Sequence, residues 1–375
     1  MFANGEKTYI TLVSSILMNR VITFGIIVLF LFLLSTFLFF SSAIENTMTI
    51  KKLANAKGIL VGSSVPYTPD NFKEKAYWNT LGKEFNSITI ENFIKMDYIQ
   101  PQQGQFNFGD ADAVVRFAER NGMKVRGHTL AWGNQIPPWV TQGKFTRDEA
   151  IQILQDHIST VVGHYRGQIY AWDVVNEPVD GDGNLVNNYW MQTIGPEYIE
   201  IAFRTANEAD PDALLFLNEF GIEAANKKFD AILRLANDLN SKGLRIDGIG
   251  SQTHLKITNG IPIQLNYDEL AMNMQRVTDM GFQYHITEMD IALQDTPTQA
   301  MLVQQADVYG RVMDICLKHP NCNSFTMWGF TDKISWIPYA MPGWGSALIF
   351  DRQYAKKPAY FSLLNSLKPL PLPAP

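Results

Sequence analysis

Short apolar runs alternate with longer amphipathic stretches eight times along this chain. That rhythm restricts the fold more than any other feature. The apolar runs are 58–65, 87–93, 124–132, 170–177, 214–220, 246–255, 283–290 and 324–330. Apolar runs without strict alternation are how parallel strands buried on both faces read. Between them, 110–121, 147–165, 198–209, 227–239, 267–280 and 299–319 read as amphipathic helices. Eight βα units in one domain of barrel size predict an α/β fold, a (β/α)8 TIM barrel. A doubly wound open sheet is the alternative. Against it, no Gly-x-Gly-x-x-Gly phosphate loop follows the first run.

Composition narrows the class. The chain has 375 residues, 46% hydrophobic and 18% charged, with a net charge of −6. It is too apolar for a disordered tail and lacks the basic surface of a nucleic-acid binder. Part of the apolar content belongs outside the barrel, because Arg20 is followed by 24 uncharged residues. Such a run can span a bilayer as a helix. It reads either as a signal peptide ending at Ser41-Ser42-Ala43 or as an uncleaved anchor, with Lys7 and Arg20 on the cytoplasmic side. The expected organisation is a signal peptide or membrane anchor at 1–43, a catalytic barrel at 50–367 and a Pro-rich tail at 368–375. The expected location is secreted, or anchored with the catalytic part outside the cytoplasm.

Polar side chains cluster at the C-terminal ends of the runs: Glu91 and Asn92, His128 and Trp132, Asn176 and Glu177, Asn218 and Glu219, Gln252 and His254, Glu288 and Asp290, and Trp328. In an α/β barrel those ends meet in one mouth. Glu177 closes the fourth run and Glu288 lies near the end of the seventh, across the mouth from each other. Two carboxylates so placed suit glycosidic bond cleavage as a general-acid and nucleophile pair. Asn176 is placed to bind the sugar hydroxyl beside the nucleophile, and His254 to donate to Glu288. Gln252 and His254 form a Q-x-H pair expected to point the same way along one strand. A metal site at His128, His254 and His285 is disfavoured by strand parity and by the absence of H-x-H or HExxH spacing. Trp172 and Trp190 read as core. Trp132, Trp328 and Trp336 fall at or beyond strand ends, where indoles can stack on sugar rings. Lys95 reads either as a salt-bridge partner or as a ligand to a substrate hydroxyl. Cys316 and Cys322 flank a five-residue turn and either close a local disulfide or remain free structural thiols.

These residues resemble glycoside hydrolase family 10, the endo-β-1,4-xylanases. The similarity runs from about Gly58 to Tyr360 through FNSITIENFIK (85–95), VRGHTLAW (125–132), WDVVNEP (172–178), GIGSQTHL (248–255), ITEMD (286–290) and WGFTDKISW (328–336). The resemblance implies a retaining endo-1,4-β-xylanase acting on xylan or xylo-oligosaccharides without metal or organic cofactor. It implies Glu177 as acid/base, Glu288 as nucleophile, and Asn176 and His254 in support. It further implies substrate binding by Glu91, Asn92, Lys95, His128, Trp132, Gln252, Trp328 and Trp336. The cysteine pair resembles one found in many members. A monomer is expected, with the N-terminal segment engaging membrane or export machinery. The alternatives are the same chemistry on other β-linked glycans or aryl β-xylosides, and a non-catalytic carbohydrate-binding barrel. The chain departs from the family's pattern at Gly133, where His is usual, at Gln100-Pro101 in place of Glu-Pro, at Met96, and at Glu219-Phe220 in place of Asp-Tyr.

Overall fold

The eight apolar runs supply eight strands, and these close into a ring. The computed structural model describes residues 48–369 apart from 71, 259, 260, 262, 264 and 295. The chain divides after Thr49, and the unit beginning at Ile50 carries the barrel. The expected signal or anchor segment at 1–43 and the tail beyond residue 369 lie outside the described residues. Among the described residues no helix is long and apolar enough to cross a membrane.

Strands β1 (Leu60–Val65), β2 (Ser87–Ile90), β3 (Lys124–Trp132), β4 (Ile169–Asn176), β5 (Leu214–Glu219) and β6 (Gly248–Ser251) pair in parallel, each with the next. The short β7 (His254–Ile257) leaves the ring, and β8 (Gln283–Gln294) takes the next place beside β6. Then β9 (Ser324–Met327) pairs with both β8 and β1 and shuts the barrel. The open-sheet alternative fails on those two pairings. Almost every strand residue is buried, which is why the runs read as continuous rather than alternating. Where a β3 residue meets a bulky neighbour on β4, the sequence has glycine. A Cβ on Gly127 would lie 2.2 Å from the indole of Trp172.

The outer helices of eight or more residues are α1 (Ile50–Lys57), α2 (Lys75–Glu84), α3 (Gly109–Arg120), α4 (Arg147–His164), α5 (Tyr198–Ala209), α6 (Lys227–Ser241), α7 (Tyr267–Asp279), α8 (Gln299–Lys318) and α9 (Pro358–Leu367). Several begin where the sequence supplies a cap. Thr146 and Glu149 form a capping box on α4, and Asn226, Asn266 and Thr298 accept first-turn N–H groups of α6, α7 and α8. Such a cap is worth about 1 kcal/mol. Buried Glu84 joins α2 to α1 and α9 by accepting the Ile50 N–H at 3.3 Å and the Tyr360 hydroxyl at 2.8 Å. Cys316 and Cys322 are joined as a disulfide, so neither is a free structural thiol.

Two details at the mouth differ from expectation. The sixth run, 246–255, does not continue as one strand. Thr253 takes a left-handed φ of 60°, so β6 ends at Ser251 and β7 begins at His254. The seventh strand, β8, runs past the ring to Gln294. Its extension pairs in parallel with β7, setting His254 opposite Asp290, and antiparallel with β10 (Trp344–Gly345).

Candidate active site

All twelve expected catalytic, supporting and substrate-binding residues line one cleft of about 610 Å³ at the C-terminal mouth of the barrel. A second concavity of about 740 Å³ continues from it, sharing Trp132, Glu177, Phe220 and Gly221. Glu177 therefore stands at the junction of two halves of one groove.

Glu177 follows the last residue of β4, and Glu288 lies within β8. The Glu177 carboxylate accepts from Trp132 Nε1 at 2.9 Å and from Gln252 Nε2 at 3.0 Å. Glu288 is buried. It accepts from Asn218 Nδ2 at 2.8 Å and lies 3.3 Å from His254 Nε2. Three amides connect the two acids, because Gln252 also reaches Asn176 Oδ1 at 3.4 Å and Asn218 donates to the same oxygen at 2.8 Å. With its oxygen so occupied, Asn176 turns its Nδ2 donor, buried and unpartnered, toward whatever enters. An orphaned buried donor is costly unless a ligand satisfies it.

Burial alone would raise the Glu288 carboxyl above the usual carboxylate range. The His254 hydrogen bond and the charges of His128 and His254 outweigh that and hold it below. His254 shows the converse. Burial favours its neutral form, yet Asp290, with Oδ2 3.0 Å from Nδ1, and Glu288 raise the imidazole well above its ordinary value. Asp290 also accepts from Trp336 Nε1 at 2.8 Å, so one carboxylate orients both the histidine and a cleft indole. His128 is buried against Asp173, its Nδ1 2.9 Å from Oδ2 and 4.0 Å from Glu288 Oε1. Asp173 in turn receives Arg126 Nε at 3.1 Å. Burial would raise Asp173, but Arg126 and His128 keep it below its ordinary value.

On the far side of the cleft, Ser64 donates to Glu91 at 2.9 Å, and Lys95 donates to Asn92 at 3.1 Å. Burial raises Glu91 and lowers Lys95 from their ordinary values. The Lys95 ammonium also sits 5.1 Å from the Trp132 ring centroid. Trp328 packs its edge on His128. Trp172 and Trp190 are fully buried, as expected.

Two expectations from strand parity fail. Gln252 and His254 do not project together from one strand. The left-handed Thr253 between them sends Gln252 to Glu177 and His254 to Glu288. Strand parity does not separate His285 from the barrel interior either. A register shift in β8 between Ile286 and Met289 lets both His285 and Glu288 face inward. His285 lies deeper, 3.1 Å from Arg126 NH1 and stacked on Phe216, and burial and then Arg126 hold it well below the ordinary imidazole range. The three histidines are engaged by Asp173, by Glu288 and Asp290, and by Arg126 and Gln283. Among the described residues no group of His, Cys, Asp or Glu is arranged to hold a metal.

Four contributors were assigned no role from sequence: Arg126, Asp173, Asn218 and Asp290. A charge inside an apolar strand must be paired, so Arg126 and Asp173 each signalled a buried partner. Their identity as partners waits on the barrel.

A sequence model of glycosyl hydrolase family 10 matches residues 49–366. The chain belongs to that family. Endo-1,4-β-xylanase B of Thermotoga neapolitana is 40% identical over 326 residues, covering 87% of this chain and 92% of the relative. Endo-1,4-β-xylanase A of Phanerodontia chrysosporium is 39% identical over 320 residues, with coverages of 85% and 77%. Among solved structures, xylanase 10B from Thermotoga maritima superposes with a TM-score of 0.82 at 40% identity, over 85% of this chain and 98% of the other. Xylanase 10B from Thermotoga petrophila, solved in complex with xylobiose, has the same TM-score and identity, with coverages of 85% and 97%.

Against the family's pattern, the departures now have surroundings. A Cβ on Gly133 would lie 2.9 Å from Cβ of Asn188, so Asn188 fills the space a side chain would need. Asn188 is itself held as the cap of the turn after it, accepting from the Met191 N–H. Gln100 places Oε1 2.9 Å from Nδ1 of buried His157, and without a carboxylate there burial drives that imidazole down to about 3. Glu219 is buried against Lys228, and burial raises it to about 7 despite that ammonium.

Proposed function

We propose that this chain is a retaining endo-1,4-β-xylanase with Glu177 as acid/base and Glu288 as nucleophile. The observation that carries the roles is the asymmetry around Glu288. Its carboxylate is held below the usual range by His254 and His128, so it is ionised and oriented at neutral pH. In the first step a Glu288 oxygen attacks the anomeric carbon. The bond to the leaving oxygen breaks as Glu177 gives that oxygen its proton. In the second, Glu177 takes a proton from water, the water oxygen attacks the same carbon, and Glu288 leaves. Asn176 Nδ2 donates to the sugar 2-hydroxyl, a bond that tightens as oxocarbenium character develops. Glu91, Asn92 and Lys95 read hydroxyls of the next sugar, while Trp328 and Trp336 stack on the ring beside Glu288.

The substrate assignment draws on relatives named endo-1,4-β-xylanase and on the xylobiose bound by the T. petrophila neighbour. Reducing-sugar release from xylan, carboxymethylcellulose and mixed-linkage glucan tests it. Xylan should be hydrolysed fastest, with the β-anomer formed first by NMR. Preference for either glucan, or first release of the α-anomer, rejects the proposal.

The chain is further proposed to be exported, with 1–43 as signal or anchor and 50–367 as the catalytic domain. The uncharged run after Arg20 and the Cys316–Cys322 disulfide motivate this. Expression with fractionation and intact-mass measurement should find it outside the cytoplasm. Recovery of full-length protein in the cytosol overturns the location.

A further inference from the structure

Glu177 stands on a strained stretch of backbone. Its φ is 54°, the left-handed region that side chains other than glycine rarely occupy. Such a conformation persists only where its surroundings hold it. The Glu177 N–H is held by the carbonyl of Asn218 at 2.9 Å. Pro178 has no N–H to offer. The next donor, the Val179 N–H, is taken by the Glu219 carboxylate, Oε2, at 3.1 Å. Two consecutive residues of β5 therefore fix the backbone on either side of Glu177. The Pro178 carbonyl is taken by Val186, within the same excursion.

Glu219 lines neither half of the groove, and its side chain is 0% exposed. Its other oxygen accepts from the Phe220 N–H at 3.1 Å and from the Lys228 ammonium at 2.7 Å. Lys228 belongs to the first turn of α6, is 6% exposed, and lies 3.2 Å from the Phe220 ring centroid. One buried ion pair thus ties together the segment after Glu177, the tip of β5 with its aromatic wall, and the start of α6. A pair buried this deeply is weak evidence for a stabilising role, because desolvation offsets most of the attraction. Its placement suits a different purpose.

We infer that Glu219, held by Lys228, is a positioning residue for the proton on Glu177. It keeps the acid/base carboxyl in line with the leaving oxygen through Val179. The inference rests on the proposal that Glu177 is the proton donor, and its test separates the two. An acid matters most when the leaving group is basic and least when the leaving group departs as a stable anion. The probes are aryl β-xylobiosides from 2,4-dinitrophenyl to phenyl, and the readout is kcat/KM, which reports bond cleavage.

Glu177→Gln should lose activity more steeply as the leaving group becomes more basic. A uniform loss there would reject Glu177 as the acid, whatever Glu219 does. Glu219→Gln keeps shape but has one acceptor oxygen, which stays with Lys228 and turns the amide N–H₂ against Val179. It should show a milder version of the same slope: about 10- to 100-fold lost on the phenyl glycoside and about twofold or less on the dinitrophenyl one. Because that variant leaves a buried ammonium without a counter-charge, Glu219→Leu/Lys228→Met is measured beside it. This removes both charges and the acceptor, and should melt closer to wild type while keeping the slope. Equal loss across all leaving groups in both variants, or no loss in either, overturns the inference.

Discussion

The two halves of the groove on either side of Glu177 are built differently. On the Glu91 side, polar side chains are fixed by protein partners before substrate arrives: Glu91 by Ser64, Lys95 by Asn92, and Trp336 and His254 by Asp290. On the Phe220 side, the wall is a 46% exposed aromatic ring, three glycines and loop residues, and of its buried ion pair only Lys228 reaches the groove while Glu219 lies behind it. The first half can discriminate hydroxyls, because a site built to hydrogen-bond rejects what leaves its groups unpaired. The second half offers an apolar face that selects weakly. Specificity is therefore concentrated on one side of the scissile bond, and adaptability on the other.

The largest expected effect tests what supports the Glu91 side. Gln100, at the end of the segment carrying Lys95, rests on buried His157, whose imidazole is pushed down to about 3. The folded protein refuses a proton that the unfolded chain accepts near pH 6.5. The stability contributed by neutral His157 is thus complete above pH 6.5 and is lost as pH falls toward 3, by up to about 5 kcal/mol. Urea denaturation between pH 6.5 and 4.5 should show wild type losing stability faster than His157→Gln. Parallel curves would mean that this support is insensitive to acid.

Next in size is the donor between the two acids. Asn176→Ala should lower kcat by about 100- to 1000-fold, as removal of a donor aimed at developing charge does. On a 2-deoxy substrate the two enzymes should nearly coincide. A full loss on the 2-deoxy substrate as well would show that Asn176 only holds Gln252 and Asn218 in place.

The smallest effects compare the halves directly. Glu91→Ala should reduce kcat/KM on xylotriose by about 10- to 100-fold, the worth of hydrogen bonds to a charged group. Phe220→Ala should reduce it by about 2- to 10-fold, the worth of an aromatic contact. If Phe220 proves the costlier loss, the comparison is inverted.

Much of this was legible in the chain. Strands buried on both faces announce themselves as apolar runs, and polar groups at their C-terminal ends identify the mouth. That is why Glu177, Glu288 and their expected binders converge in one cleft. What escaped depends on backbone geometry and distant pairing. Thr253 is not a turn-forming residue type, so its left-handed conformation, which parts Gln252 from His254, had no sequence signal. The register shift in β8 was equally silent. Asn218 and Asp290 were visible at strand ends, but their bridging roles exist only once β4, β5, β7 and β8 are neighbours. Lys228 reads as an ordinary first-turn lysine until Glu219 is found beneath it.

The central claim is that Glu288 is the carboxylate that bonds to the sugar. Residues 44–375 incubated with a 2-fluoro-xylobioside inactivator, digested and mapped by mass spectrometry test it most directly. The account predicts one label per chain, on Glu288, with Glu288→Gln unlabelled. A stable label on Glu177 or any other residue would contradict it.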